Sequence, residues 1–197
     1  TKLSIGLNKY LNLPANTVMN AVIHTASVDN LHFSDAVTAT LQGVFPETAL
    51  KVDLDDAICK GGNFSGTADV HLSSVSTMAD FDFNGTTCTV TADEGSTFKG
   101  TLNASTALTV HVDDGSWMTT YGGQTPQAEA KVNDNSVLNM LATRVEALNL
   151  TLSSSSEASV NATNTITGSV KESSTLYYKG NPIITIDADT LSSVYPL

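Results

Sequence analysis

The sequence predicts an all-β fold: a right-handed parallel β-helix, or solenoid, of about nine coils of about 20 residues each. Three observations support this prediction: apolar residues recur every twenty residues, apolar and polar residues alternate within each repeat, and the composition favours strands and turns. The chain of 197 residues holds 21 Ser, 27 Thr and 15 Asn, about a third of the total. Glu, Lys, Arg and Gln, which favour helices, are scarce. We therefore expect one β-solenoid domain over residues 1–197.

The twenty-residue period is visible in columns that keep one phase along the chain. The first column contains Leu11/Leu13, Leu31/Phe33, Leu50/Val52, Val70/Leu72, Val90/Ala92, Val110/Val112, Ala130/Val132, Leu150/Leu152 and, after a shorter step, Gly168/Val170. Two residues before it lie Ala68, Cys88, Leu108, Ala128, Leu148 and Ile166. Six residues after it lie polar or small residues, namely Thr17, Val37, Asp56, Ser76, Ser96, Ser116, Ser136, Ser156 and Ser174. Eight residues after it lie Met19, Ala39, Ile58, Met78, Phe98, Met118, Leu138, Ala158 and Leu176.

Each repeat consists of an alternating strand, such as Leu148–Leu152, followed by a polar corner. The corners, such as Asp113–Gly115, contain residue types that bend a chain by local hydrogen bonds or a positive φ. Parallel stacking about 4.8 Å apart is the simplest arrangement for such repeats, and parallel crossovers are right-handed. An antiparallel sandwich or barrel is the alternative, but it does not explain a constant phase at twenty. Residues 1–10 and 189–197 fall outside the period and are predicted to cap the open ends.

The charge and cysteine content exclude several classes of protein. Twenty acidic against nine basic residues give a net charge of −11, so clustered cations for nucleic-acid binding are lacking. No apolar run approaches the roughly 20 residues of a transmembrane helix. Cys59 and Cys88 have no zinc-ligand spacing and are predicted to be small buried side chains. Because the chain begins at Thr1, we expect a trimmed N-terminus, from which a secretory signal or a lipid anchor has been removed.

Two sets of residues are candidates for ligand binding. The corners stack Asp93, Glu94, Asp113, Asp114 and Asp134 along one edge. Their carboxylates could hold Ca²⁺, although a solvated acidic edge without an ion is the alternative. The aromatic residues at or beside corners could stack on sugar rings or could instead cover the core. They are Trp117, Tyr121, Tyr177 and Tyr178, and at least one of the last two is expected to point inward.

The sequence gives little sign of a catalytic site. Asp80 and Asp82 share the polar face of a strand, but no third acid is expected beside them, and glycosidases need a carboxylate pair across a groove. His71 and His111 fall in one outward column two coils apart, roughly 9.6 Å at the solenoid rise, which is too far to share a metal ion. We therefore expect no catalytic residues, no cofactor and no metal other than the candidate Ca²⁺.

The C-terminal third is similar to a known family. Residues 166–182, ITGSVKESSTLYYKGNP, resemble the closing coil of the auto-transporter adhesin family with the head GIN domain, a family of Bacteroides-type envelope proteins. The resemblance covers roughly residues 50–188 and is most specific from Tyr178 to Pro182. Versions of the family's small residue–serine corner are Gly95-Ser96, Gly115-Ser116, Asn135-Ser136 and Ala158-Ser159. The resemblance implies an exported right-handed parallel β-helix at the cell envelope and supplies no catalytic or ligand residues.

The resulting hypothesis is a non-enzymatic, exported protein of the cell envelope that acts as an adhesin or as a structural interaction module. Its expected location is extracytoplasmic, at the cell surface, in the periplasm or secreted. The partner would be a surface protein or a glycan. The alternative is a carbohydrate-binding or carbohydrate-processing β-helix, which would show paired carboxylates or stacked aromatic residues beside a groove.

Overall fold

A computed structural model describes residues 28–46 and 49–197, and these residues form strands, turns and no helix. The strands are β1 Asn30–Ser34, β2 Thr38–Phe45, β3 Leu50–Asp55, β4 Ile58–Phe64, β5 Thr67–Ser73, β6 Thr77–Ala92, β7 Thr97–Val112, β8 Trp117–Val132, β9 Val137–Leu152, β10 Glu157–Val170, β11 Thr175–Lys179, β12 Ile183–Ala188 and β13 Ser193–Pro196. The predicted N-terminal cap, residues 1–10, and the predicted coil through Leu11 and Leu13 lie outside the described residues.

The strands form two parallel faces that wind into a solenoid. The first half of β6 pairs with β4 and its second half with β5, so one long strand contributes to both faces. Face 1 comprises β2, β4, the first halves of β6 to β10, β11 and β13; face 2 comprises β1, β3, β5, the second halves of β6 to β10, and β12. All pairings among the described strands are parallel, and these strands make about 8 turns. The prediction of a parallel β-solenoid is confirmed.

The predicted apolar columns form the core between the faces. On face 2, Val70, Val90 and Val110 are register partners on successive turns and are fully buried. On face 1, Met78, Phe98, Met118 and Leu138 are stacked in the same way. Towards the N-terminal turns the core is aromatic. The rings of Phe45, Phe64 and Phe81 stack there, with centroids 5.1 and 4.6 Å apart.

The register of the first turns differs by two residues from the predicted one. Val52, not Leu50, is the partner of Val70, and Leu31 is the partner of Val52. The step between β3 and β5 is therefore shorter than twenty, like the step that was correctly assigned near Gly168. Because the shift of β3 is even, its side chains keep their predicted faces.

Three further predicted positions need correction. The column members in the second described turn are Ala57 and Cys59 rather than Asp56 and Ile58, as the burial of the first pair shows. The corner before β10 is at Ser155 and Ser156, so Ala158-Ser159 lies inside the strand. Residues 189–197 do not fall outside the period: they form a corner and β13, which pairs with β11 as a further turn of face 1.

Seven of the described corners share one conformation, and six of these seven end in a serine that belongs to a hydrogen-bonded ladder. In the corner Asp113–Ser116, Asp114 and Gly115 both have left-handed φ, 49° and 71°. The other corners with such a pair are 35–36, 74–75, 94–95, 134–135, 154–155 and 172–173. The serine that ends each of these six corners is buried, and from Ser96 onwards its Oγ accepts the backbone N–H of the equivalent serine one turn earlier. This ladder contains Ser76, Ser96, Ser116, Ser136, Ser156 and Ser174, with Oγ···N distances of 3.0 to 3.2 Å.

Candidate functional site

The acidic edge brings three of its five predicted residues together. Asp113, Asp114 and Asp134 each offer a carboxylate oxygen, and these atoms lie within 4.8 Å of one another. The stacking of the corners causes this proximity, since the N–H of Gly115 donates to the carbonyl of Asp134 one turn later, at 2.9 Å. Oxygen-only ligands of this kind suit Ca²⁺. The calcium edge stays a prediction, because exposed carboxylates also stand together without an ion.

The remaining two residues of the predicted edge behave differently. Glu94 reaches the preceding corner instead, where its Oε2 accepts hydrogen bonds from the backbone N–H and the hydroxyl of Ser74, at 3.0 and 3.2 Å. Asp93 stays close to Asp114. Desolvation by neighbouring protein atoms, and then the negative charges of Asp113, Asp93 and Asp134, raise the pKa of Asp114 above its ordinary value. When they are ionised, the carboxylates of the acidic edge therefore repel one another.

The four predicted aromatic residues all lie on strands of face 1, and one of them points towards the core. Trp117 and Tyr121 point outward from β8 and are 54% and 57% exposed. Tyr178 packs against the core, and Tyr177 points outward on the alternate side of β11, as expected. Sequence reasoning missed Tyr195, which is the register partner of Tyr177 on β13 and is 50% exposed. The two rings stack with centroids 5.8 Å apart. Tyr195 was overlooked because its segment was assigned to a cap.

The histidine column has the predicted arrangement. His71, Thr91 and His111 are register partners on three successive turns of face 2. Two turns therefore separate the imidazoles, and Nε2 of His111 is buried without a hydrogen-bond partner among the described residues. These histidines do not gather into a metal site.

Asp82 lies beside an amide and a hydroxyl side chain on the neighbouring turns. A register shift between Met78 and Phe81 makes Asn63 and Thr101 the partners of Asp82, while Asp80 has a left-handed φ of 57°. Phe81 is fully buried, as expected. No carboxylate occupies either partner position of Asp82.

A polar groove lies at the bend between the two faces, and sequence reasoning did not find it. The amide side chains of Asn84, Asn103 and Gln124 and the guanidinium of Arg144 occupy partner positions on four successive turns. Ser105 and Glu146 line the other side of the groove, which has a volume of about 410 Å³. We call this feature the bend groove. One signal could have indicated it: Arg144 is the only arginine of the chain.

The two cysteines are free and buried, as predicted. Burial raises the pKa of Cys59 to about 12 and also raises the pKa of Cys88. Because the thiolate is the nucleophilic form, neither thiol is suited to catalysis. None of the described residues belongs to a helix long and apolar enough to span a membrane.

Comparison of the sequence with curated proteins and with solved structures gives no match. A family model does match. It covers residues 1–182, which include all the described strands except β12 and β13. The model is described as "Putative auto-transporter adhesin, head GIN domain". The sequence resemblance near Tyr178 and the observed solenoid agree with this match. The chain belongs to the auto-transporter adhesin family with the head GIN domain.

Proposed function

We propose that this protein is a non-enzymatic, exported module of the cell envelope that attaches to a surface protein or glycan through face 1. One observation carries the proposal. Trp117, Tyr121 and Tyr195 point outward from face 1, and each is at least half exposed. The family's description as an adhesin supports the same function.

Physical reasons connect these aromatic residues with binding. Large aromatic side chains lose apolar hydration when a partner covers them, and Trp and Tyr are enriched among the residues that dominate binding energy. Trp117 and Tyr195 have register partners, and Tyr121 lies at a register shift within a strand that is paired on both sides, so the surrounding backbone is ordered before a partner arrives. The entropy lost on association is therefore smaller than for a residue on a free loop.

Face 1 also provides the argument that the protein is not an enzyme. A retaining or inverting glycosidase needs two carboxyl groups across the scissile bond. Asp82 has Asn63 and Thr101 as its partners, so the carboxylate that seemed most suitable in the sequence has no acidic neighbour in its column. The family description as an adhesin agrees with a role in binding.

An adhesion assay tests the proposal. Beads coated with the protein are added to cell monolayers and to immobilised glycans, and retained beads are counted after washing. We expect the Trp117→Ala/Tyr121→Ala variant to lose at least tenfold in retention on the surface that the wild type binds. The matched control is Val75→Ala/Leu191→Ala, which removes two apolar side chains that are each 73% exposed at corners.

Three results would contradict the proposal: equal losses in both double variants, no retention of the wild type on any surface, or turnover of a glycan by the purified protein. Thermal unfolding of each variant shows whether a loss of retention reflects unfolding instead of a missing contact.

A further inference from the structure

We propose that the bend groove binds a neutral glycan chain through its amide and guanidinium side chains. This inference goes beyond the proposed function, since it names a second binding surface beside face 1 and the kind of ligand that this surface would take. The bend groove runs along the solenoid axis, with Asn84, Asn103, Gln124 and Arg144 on one side and Ser105 and Glu146 on the other.

The polar groups of the groove are free. Within the part of the chain that the structure describes, the amides of Asn84, Asn103 and Gln124 and the guanidinium of Arg144 make no hydrogen bond or ion pair to protein. The next member of the same column is different, because Asn161 uses its Nδ2 to bond the carbonyl of Leu141 at 3.3 Å. The amide of Asn161 is therefore held by the protein, whereas the four side chains of the groove are available to a ligand.

The chemistry of these groups matches hydroxyl-rich ligands. A carboxamide both donates and accepts hydrogen bonds, a guanidinium only donates, and a carboxylate only accepts. Sugar hydroxyls do both, so a glycan can satisfy all three kinds of group at once. A polar ligand site gains specificity in this way, because an analogue that leaves a groove donor unpaired binds more weakly.

Charge favours a neutral glycan over an acidic one. Arg144 and Glu146 have opposite charges, so the groove carries no net charge. The whole chain has a formal net charge of −11. Its field repels polyanions over a distance of about 10 Å at 0.1 M salt, and one guanidinium does not reverse this repulsion.

The spacing favours an extended ligand. Adjacent turns of a parallel sheet are about 4.8 Å apart, so four side chains on successive turns span about 14 Å along the axis. A chain molecule can therefore contact several turns simultaneously. The volume of about 410 Å³ lies within the usual range for small-ligand sites.

The test is a glycan array that carries neutral oligosaccharides (glucans, mannans and galactans) and acidic ones (polygalacturonate and sulfated chains), followed by calorimetric titration of the strongest ligand. The groove variant is Gln124→Ala/Arg144→Ala. The matched control is Lys131→Ala/Asn149→Ala, which removes one cation and one amide from exposed positions on face 2. We expect the wild type to bind neutral oligosaccharides, the groove variant to bind at least tenfold more weakly, and the control to keep the wild-type affinity.

The inference is overturned if no neutral oligosaccharide binds, if acidic chains bind more tightly than neutral ones, or if the groove variant binds like the wild type. All side chains changed in these variants are exposed, and thermal unfolding verifies that each variant folds. The two proposals remain distinguishable. Loss of bead retention in Trp117→Ala/Tyr121→Ala, with no effect of the groove variant on binding, would refute the groove and leave the adhesive role of face 1 standing.

Discussion

The two adjacent glycines of β8 provide a test of how closely the turns are stacked. Gly123 has a φ of +121°, and a Cβ added to it would lie 2.0 Å from the carbonyl oxygen of Leu102, its partner on the preceding turn. Gly122 has no such φ, and its added Cβ would meet nothing closer than Cγ2 of Thr101, at 3.7 Å. The change Gly123→Ala should therefore destabilise the solenoid, whereas Gly122→Ala should not.

The magnitude follows from two costs. A residue other than glycine in this region of φ costs roughly 1–3 kcal/mol. The contact of 2.0 Å must also open by about 1 Å, which separates β7 from β8 and breaks one or two backbone hydrogen bonds of about 1 kcal/mol each. We expect Gly123→Ala to lower the free energy of unfolding by about 2–5 kcal/mol, or the Tm by roughly 4–20 °C for a domain of this size.

Thermal and urea unfolding followed by circular dichroism would measure both variants. Gly122→Ala should fall between no change and a gain of about 1 kcal/mol, because alanine restricts the unfolded chain. If the two alanine variants unfolded within about 1 kcal/mol of each other, the close approach of β7 and β8 at Leu102 would be wrong.

Three other predictions concern the corners and the core. Ser116→Ala should cost about 0.5–1.5 kcal/mol in urea unfolding, because the N–H of Ser96 loses the nearer of its two acceptors, at 3.0 Å, and keeps the carbonyl of Asp93 at 3.2 Å. Because the folded-state pKa of Asp114 is raised, its ionised form opposes folding: Asp114→Asn should raise the Tm at pH 7, and the gain should vanish as the pH falls below the ordinary pKa. With a pKa of about 12 for Cys59 and a raised pKa for Cys88, both thiols should resist alkylation at pH 8 until the protein is denatured.

The parts of the fold that the sequence predicted are those in which the coil length is constant. Between Val70 and Leu150 every step on face 2 is twenty residues, so the apolar columns could be assigned directly. The first turns were assigned two residues out of register, because one shorter step precedes Val70 and periodicity alone does not show where residues are missing. The faces assigned to β3 survived because a shift of two matches the period of two with which strand side chains alternate, whereas the shift of one residue at Ile58 placed that side chain outward.

The serines of the ladder were visible in the sequence as a column, but the hydrogen bonds that they form between turns were not predicted. A serine after residues such as Asp114 and Gly115 is expected in an exposed polar turn. Its burial depends on the neighbouring turn, since the Oγ of Ser116 can leave water only because the N–H of Ser96 donates to it. A hydrogen bond between residues twenty apart becomes predictable only after the turns have been aligned.

The bend groove shows where sequence periodicity fails to reveal a candidate binding surface. The steps from Asn84 to Asn103, Gln124, Arg144 and Asn161 are 19, 21, 20 and 17 residues, because the strands bulge on either side of the bend. A constant period of twenty therefore keeps Asn84, Gln124 and Arg144 in one column, but it puts Ala104 in the place of Asn103 and Asn164 in the place of Asn161. The core requires a regular repeat to fill its interior, but the bend tolerates insertions because its side chains face solvent. In such a solenoid, the irregular steps are consequently the places to look for binding residues, and the regular steps are the places to look for stability.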